Sequence, residues 1–207
     1  MASAIINSIG LFIDGGYYRK INEGLAPTKR VHLVNLFNYI RTCISEHYDL
    51  EKESCILTEI HYFEGRYDTE SAKKHNAVEN NRRFEDTLVE NDVVLHYKRI
   101  YDLENGEPHE KGVDVWFALE TFELSMFRDF DFVVLITGDA DHEMLARKIK
   151  SLKKQVVLVT WHFGSTNATA KVLKEEVTYH VNINERIVIN PKLEEILTQA
   201  SSYRPIK

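Results

Sequence analysis

The stretch Phe132-Val133-Val134-Leu135-Ile136-Thr137-Gly138-Asp139-Ala140-Asp141 decides the fold. A short continuous apolar run ends at Thr-Gly and hands over to acids, the pattern of a strand buried on both faces that gives way to a helix. Gly10-Leu11-Phe12-Ile13-Asp14 repeats it, and Gly15-Gly16 allow the backbone to turn sharply while the Asp14 carboxylate stays at the strand end.

Outward from these two strands the chain alternates. Periodicity predicts strands at 9 to 13, 55 to 63, 93 to 100, 131 to 136, 156 to 161 and 177 to 183. It predicts helices at 31 to 48, 70 to 91, 112 to 127, 140 to 153, 168 to 174 and 191 to 200. The helix at 70 to 91 is polar, with Val78, Phe84, Leu88 and Val89 as sparse apolar positions, and residues 102 to 109 form a turn cluster. Repeated β-then-α order implies a single α/β domain with a mostly parallel sheet flanked by helices and right-handed crossovers. The domain is expected over 8 to 185, with 186 to 207 as a C-terminal helix and tail packed on it or extending it. No internal repeat or linker interrupts it.

Composition fits a soluble globular chain: 207 residues, 43% hydrophobic, 28% charged, with four prolines and nine glycines that exclude collagenous or low-complexity character. Cys43 and Cys55 form neither a disulfide framework nor a zinc pattern and read as buried thiols. Without a leader-like start or a membrane-length apolar run, the expected location is the cytoplasm, with no membrane partner. A net charge of -6 argues against indiscriminate nucleic-acid binding. It leaves room for a nucleic-acid substrate, because basic residues occur in local groups such as Lys73-Lys74, Arg82-Arg83 and Lys98-Arg99.

Four aspartates carry the functional signal. Ligands of open α/β sheets bind beyond the carboxyl ends of the strands, where Asp14, Asp139 and Asp141 stand. Asp114 opens a helix after Lys111-Gly112 that carries Val113, Val115, Trp116, Phe117, Leu119, Phe122, Leu124, Met126 and Phe127. So oily a helix reads as largely buried. Its Asp114 face continues through Ala118, Thr121 and Ser125, small residues that allow close approach to the sheet. At about 4 Å and an effective dielectric near 20, each like-charged pair costs on the order of 4 kcal/mol. Such a cluster therefore calls for raised pKa values, nearby cations or a bound ion, and hard oxygen ligands favour Mg²⁺ or Mn²⁺. Each acid also has a plain reading: Asp14 as an Asx-turn, Asp139 or Asp141 as a helix cap worth about 1 kcal/mol, Asp114 as the partner of Lys111.

Taken in order, Leu11-Phe12-Ile13-Asp14-Gly15, Lys111-Gly112-Val113-Asp114-Val115 and Leu135-Ile136-Thr137-Gly138-Asp139-Ala140-Asp141 resemble the three motifs of the NYN domain family, the LabA-like, DUF88 branch of the PIN-like nuclease superfamily. The resemblance covers about residues 8 to 185. It implies a Rossmann-like sheet and a metal-dependent ribonuclease with catalytic Asp14, Asp114, Asp139 and Asp141, of which Asp14, Asp114 and Asp139 bind Mg²⁺ or Mn²⁺. Two positions depart from the pattern: Tyr17 stands where many relatives have Asn, and Glu176-Val177-Thr178-Tyr179 where they often have an aspartate before an aromatic.

Secondary positions follow. Lys111, Thr137 and Ser165 are expected to contact phosphate; His142 and His162 read as helix-start or strand-end histidines rather than catalytic bases, since metal-bound water requires no protein base; and Tyr17 and Tyr18 read as either base-stacking or packing aromatics. The expected partner is single-stranded RNA, with a homodimer as a further expectation and the C-terminal helix as its contact. Two other functions share the motifs: a non-hydrolytic RNA- or protein-binding regulatory module, and a phosphoesterase acting on small nucleotides.

Overall fold

Apolar strands flanked by turn residues collapse into a sheet whose two faces must both be covered. In the computed structural model, which describes residues 6–74, 78–102, 108–109, 111–162 and 171–200, Asn7–Asp14 (β1) passes directly into Gly15–Gly24 (α1). Lys29–Val31 (β2) and Leu33–Tyr48 (α2) lead to Cys55–Tyr67 (β3), followed by Thr69–Lys74 (α3), Val78–Glu90 (α4), Val93–Asp102 (β4), Pro108–His109 (β5) and Val113–Phe127 (α5). Then come Phe132–Ile136 (β6), a 3-10 turn Ala140–His142 running into Glu143–Ser151 (α6), and Gln155–Thr160 (β7). Lys171–Glu176 (α7), Tyr179–Asn182 (β8), Ile183–Ile189 (α8), Lys192–Leu197 (α9) and Thr198–Ala200 (β9) complete the described chain.

The main sheet has the order β5-β4-β3-β1-β6-β7-β8. All its strands pair in parallel except β5, which runs antiparallel at the edge, where a proline is tolerated. From β1 the chain builds outward through β3 and β4, then returns to the other side of β1 and builds through β6, β7 and β8. The direction therefore reverses between β1 and β6, and the crevice beyond their carboxyl ends is where such sheets take ligands.

Strand periodicity of two divides the core. Leu11, Ile13, Val134, Ile136, Val157 and Val159 face one side, against Tyr18 and Ile21 of α1, Ile40 and Ile44 of α2, and Leu193 and Leu197 of α9. Phe12, Phe63, Val133, Leu135, Val156 and Leu158 face the other, against Val113 and Phe117 of α5 and Leu145, Ala146 and Ile149 of α6. Cys43 and Cys55 are free and buried. No helix among the described residues is long and apolar enough to cross a membrane.

Several expectations change. Gly15-Gly16 do not make an open turn; they start α1, with Asp14 as its cap. The polar helix expected at 70 to 91 is two helices, α3 and α4, and the segment between them lies outside the described residues, as do most of the turn cluster at 102 to 109 and the first part of the helix expected at 168 to 174. The terminal helix stops at Leu197 and becomes β9, paired antiparallel to β2 with Lys29 opposite Ala200. His32 N–H donates to Leu197 O at 2.8 Å and Lys29 pairs with Glu194 at 3.0 Å, so this segment is fastened to the start of α2.

The largest departure is α5. Its inner face is Val113, Phe117, Thr121 and Ser125, all buried, and the two small hydroxyl residues admit close packing. Its outer face is not buried: Val115, Leu119, Met126 and Phe127 are 62%, 64%, 47% and 73% exposed. A helix apolar on every side has no periodicity from which an outer face could be read.

Candidate active site

Three elements deliver the acids. Asp14 ends β1 and caps α1, its Oδ1 accepting the Tyr17 N–H at 3.1 Å. Asp139 follows β6 and caps the 3-10 turn, its Oδ1 accepting the Asp141 N–H at 3.0 Å. Asp114 lies in the first turn of α5, which begins after Gly112 in the left-handed region at φ 77°. A side chain at 112 would be strained and would meet the Lys98 ammonium.

Thr137 ties the first two acids together. Its hydroxyl donates to Asp14 Oδ2 at 2.9 Å and accepts the Asp139 N–H at 3.3 Å. The residue is fully buried, so the hydroxyl that the sequence suggested for phosphate is instead engaged between two acidic segments. Gly138 lies under the Tyr17 ring, where a Cβ would come within 2.5 Å of it. Tyr17 and Tyr18 are each 5% exposed, and the Tyr17 hydroxyl meets the backbone of Trp161 just after β7. Both tyrosines are packing residues, with no face open for a base to stack on.

The acids act on one another. Partial burial and then Asp14 push the Asp114 carboxyl above the ordinary carboxylate range, with Asp139 and Asp141 adding to the rise and His142 opposing it. Among the described residues no Lys or Arg pairs with any of the four, and Lys111, although exposed, does not pair with Asp114. Lys98 is a second exposed cation here, its ammonium 3.4 Å from Gly112 O at the start of α5.

The tightest group differs from the one expected. One oxygen each of Asp114 and Asp139 and one ring nitrogen of His142 lie within 4.8 Å of one another and could hold a metal ion. Asp14 and Asp141 flank this group. The sequence offered His142 as a helix-start residue or, less readily, a catalytic base, and not as a ligand, because a histidine at a strand-to-helix junction has no local mark of one. Ser165 lies outside the described residues. Glu176, at the position where the family pattern often has aspartate, is taken by Arg147 at 3.0 Å and Lys150 at 3.4 Å.

This donor set, oxygen-rich and without a paired Lys or Arg among the described residues, suits a divalent ion. A family model described as NYN domain matches residues 8–184. No curated protein and no solved structure matches the chain.

Proposed function

The chain belongs to the NYN domain family, and from that premise we propose that it is a metal-dependent ribonuclease hydrolysing phosphodiester bonds of single-stranded RNA at the β1–β6 crevice. The observation that carries this reading is the convergence of Asp14, Asp114, Asp139 and Asp141 at the sheet's point of reversal, with no Lys or Arg among the described residues paired to any of them. Asp114, Asp139 and Asp14 would hold one or two Mg²⁺ or Mn²⁺ ions, which supply Lewis-acid polarisation of the phosphate and activation of water.

The chain's own groups prepare that chemistry. The Tyr17 amide and the Thr137 hydroxyl fix both oxygens of Asp14, and the Asp141 amide fixes one oxygen of Asp139. Rotamer freedom that would oppose ligand capture is thus removed before anything binds. Asp141 would be either a further ligand or the group that orients a water for attack. Lys111 and Lys98, both exposed beside the first turn of α5, draw the phosphate in as point charges, and the positive end of the 15-residue α5 adds to them. Ser165 is retained as a phosphate contact. By family likeness the products carry 5′-phosphate and 3′-hydroxyl ends.

Purified chain incubated with labelled mixed-sequence RNA and Mn²⁺, Mg²⁺ or EDTA, beside Asp139→Asn, tests this. Metal-dependent cleavage that disappears in the variant is expected. The regulatory-module reading draws on Tyr17, which spends its ring in the core where relatives often have a polar Asn; RNA binding without cleavage would favour it.

A further inference from the structure

His142 is the one member of the tight group that the family motifs do not supply. It occupies the cap position of α6, yet its side chain makes no capping hydrogen bond. The ring is 1% exposed, its Nε2 is buried without a partner, and it packs against Phe117 at 4.7 Å between centroids. A purely structural histidine in such a place usually has its buried nitrogen satisfied, because an unpaired polar atom in the interior is unfavourable. A purely apolar role would be met as well by phenylalanine.

The arrangement around it suits a ligand instead. A ring nitrogen of His142 lies within 4.8 Å of carboxylate oxygens on Asp114 and Asp139, which satisfy the same limit with each other. Donor atoms sharing one ion at about 2.1 Å lie roughly 3 to 4.2 Å apart, so the group closes on an ion with movements of under about an ångström. The donors come from two places in the fold: Asp114 from the first turn of α5, and Asp139 and His142 from the two ends of the 3-10 turn that follows β6.

We propose that His142 is a metal ligand, and that its imidazole makes the site favour cations that accept nitrogen, Mn²⁺ and more strongly Co²⁺, over Mg²⁺. This rests on the metal-dependent reading above. The chemistry behind it is ligand preference: Mg²⁺ demands oxygen and keeps its waters, whereas affinity for mixed nitrogen–oxygen sites rises along the first-row series from Mn²⁺ to Co²⁺. Four carboxylates alone would discriminate less sharply, because they offer Mg²⁺ the oxygen ligands it prefers.

The test uses binding and spectroscopy. The metal-free full chain is titrated calorimetrically with Mn²⁺, Co²⁺ and Mg²⁺, and the Mn²⁺ adduct is examined by electron spin-echo envelope modulation for coupling to a directly bound ¹⁴N. His142→Phe and His142→Gln are compared with the wild type, circular dichroism confirming that each is folded. Expected are tighter binding of Mn²⁺ and Co²⁺ than of Mg²⁺, and ¹⁴N coupling in the wild type that vanishes in both variants. Mn²⁺ affinity should fall at least about tenfold while Mg²⁺ affinity stays within about twofold. Absence of the coupling in the wild type, or its persistence in the folded variants, overturns the proposal.

Asp139→Asn separates the two readings. If it abolishes Mn²⁺ binding while both His142 variants bind as the wild type does, the metal site stands and the role of His142 falls. If Mn²⁺ does not bind the wild type at all, both fall.

Discussion

The two ends of α5 treat charge in opposite ways. At its start, Asp114 faces Asp14, Asp139 and Asp141 with no cation paired to any of them among the described residues. Further along, over β3 and β4, charges are answered: Glu59 takes Arg128 at 2.8 Å and His61 Nε2 at 3.2 Å, His61 Nδ1 meets His96 Nε2 at 3.0 Å, and Glu120 accepts the Trp116 indole N–H at 3.1 Å. Because Glu59 only accepts, a neutral His61 donates through Nε2 and receives the His96 proton at Nδ1. One helix thus packs on a satisfied polar network and on an unsatisfied one. Stability alone explains the first; the second persists where a ligand can supply what the chain withholds.

Breaking the unsatisfied end should have the largest effect on function and little on folding. Asp139→Asn is expected to reduce metal-dependent RNA cleavage by at least about 100-fold, measured beside an unchanged or raised Tm, since a repelling charge has been removed. At the satisfied end the outcome reverses. His61→Ala deletes a 4%-exposed ring stacked on Phe12 and leaves His96 and Glu59 short of a partner. A loss of about 2–4 kcal/mol follows, or roughly 4–16 °C in Tm for a chain of this size.

Thr137→Val sharpens the contrast, because it removes only the hydroxyl that joins Asp14 to the Asp139 amide. It should reduce stability by about 1–2 kcal/mol and slow cleavage by roughly tenfold, where a mere packing role would leave activity untouched.

Acidification separates the ends by sign. Burial holds His61 below its ordinary 6.5, against the pull of Glu59, and burial and then His61 hold His96 below it too. Their contribution is complete above pH 6.5 and is lost as pH falls through the lowered values. The Asp114 carboxyl is raised above its ordinary 3.8, so its penalty applies above the raised value and disappears as pH falls through it. Thermal melts from pH 7 downward should show destabilisation just below 6.5 that His61→Ala flattens. Asp114→Asn should raise stability at neutral pH and leave that slope intact. The smallest effect belongs to the surface: Arg147→Ala, which breaks pairs to Glu143 and Glu176 with the Arg side chain 52% exposed, should change stability by under about 1 kcal/mol.

What the sequence made legible follows from how local each signal is. Strand ends and their acids were readable because an apolar run followed by Asp needs no distant information. α1 was not, since Gly15-Gly16 look like a turn until Asp14 is seen to cap the helix and Tyr17, Tyr18 and Ile21 are seen to be buried. The β2–β9 pair joins three-residue strands from distant parts of the chain, and nothing local announces it. His142 escaped for the same reason, its meaning being a distance to Asp114 and Asp139. The outer face of α5 was hidden by an excess of apolar residues.

The register of β1 and β6 carries a mechanical consequence. Ile13 lies opposite Ile136, so Asp14 and Thr137 leave adjacent strands whose separation, about 4.8 Å, is set by backbone hydrogen bonding. Asp114 has no such anchor; it rides on a helix seated by side chains. The crevice is a caliper with one jaw of fixed pitch and one that slides, and its aperture is the seating depth of α5. Thr121 and Ser125, fully buried beneath that helix, act as its shims: a larger residue at either position lifts the sliding jaw and leaves the fixed one where the sheet holds it.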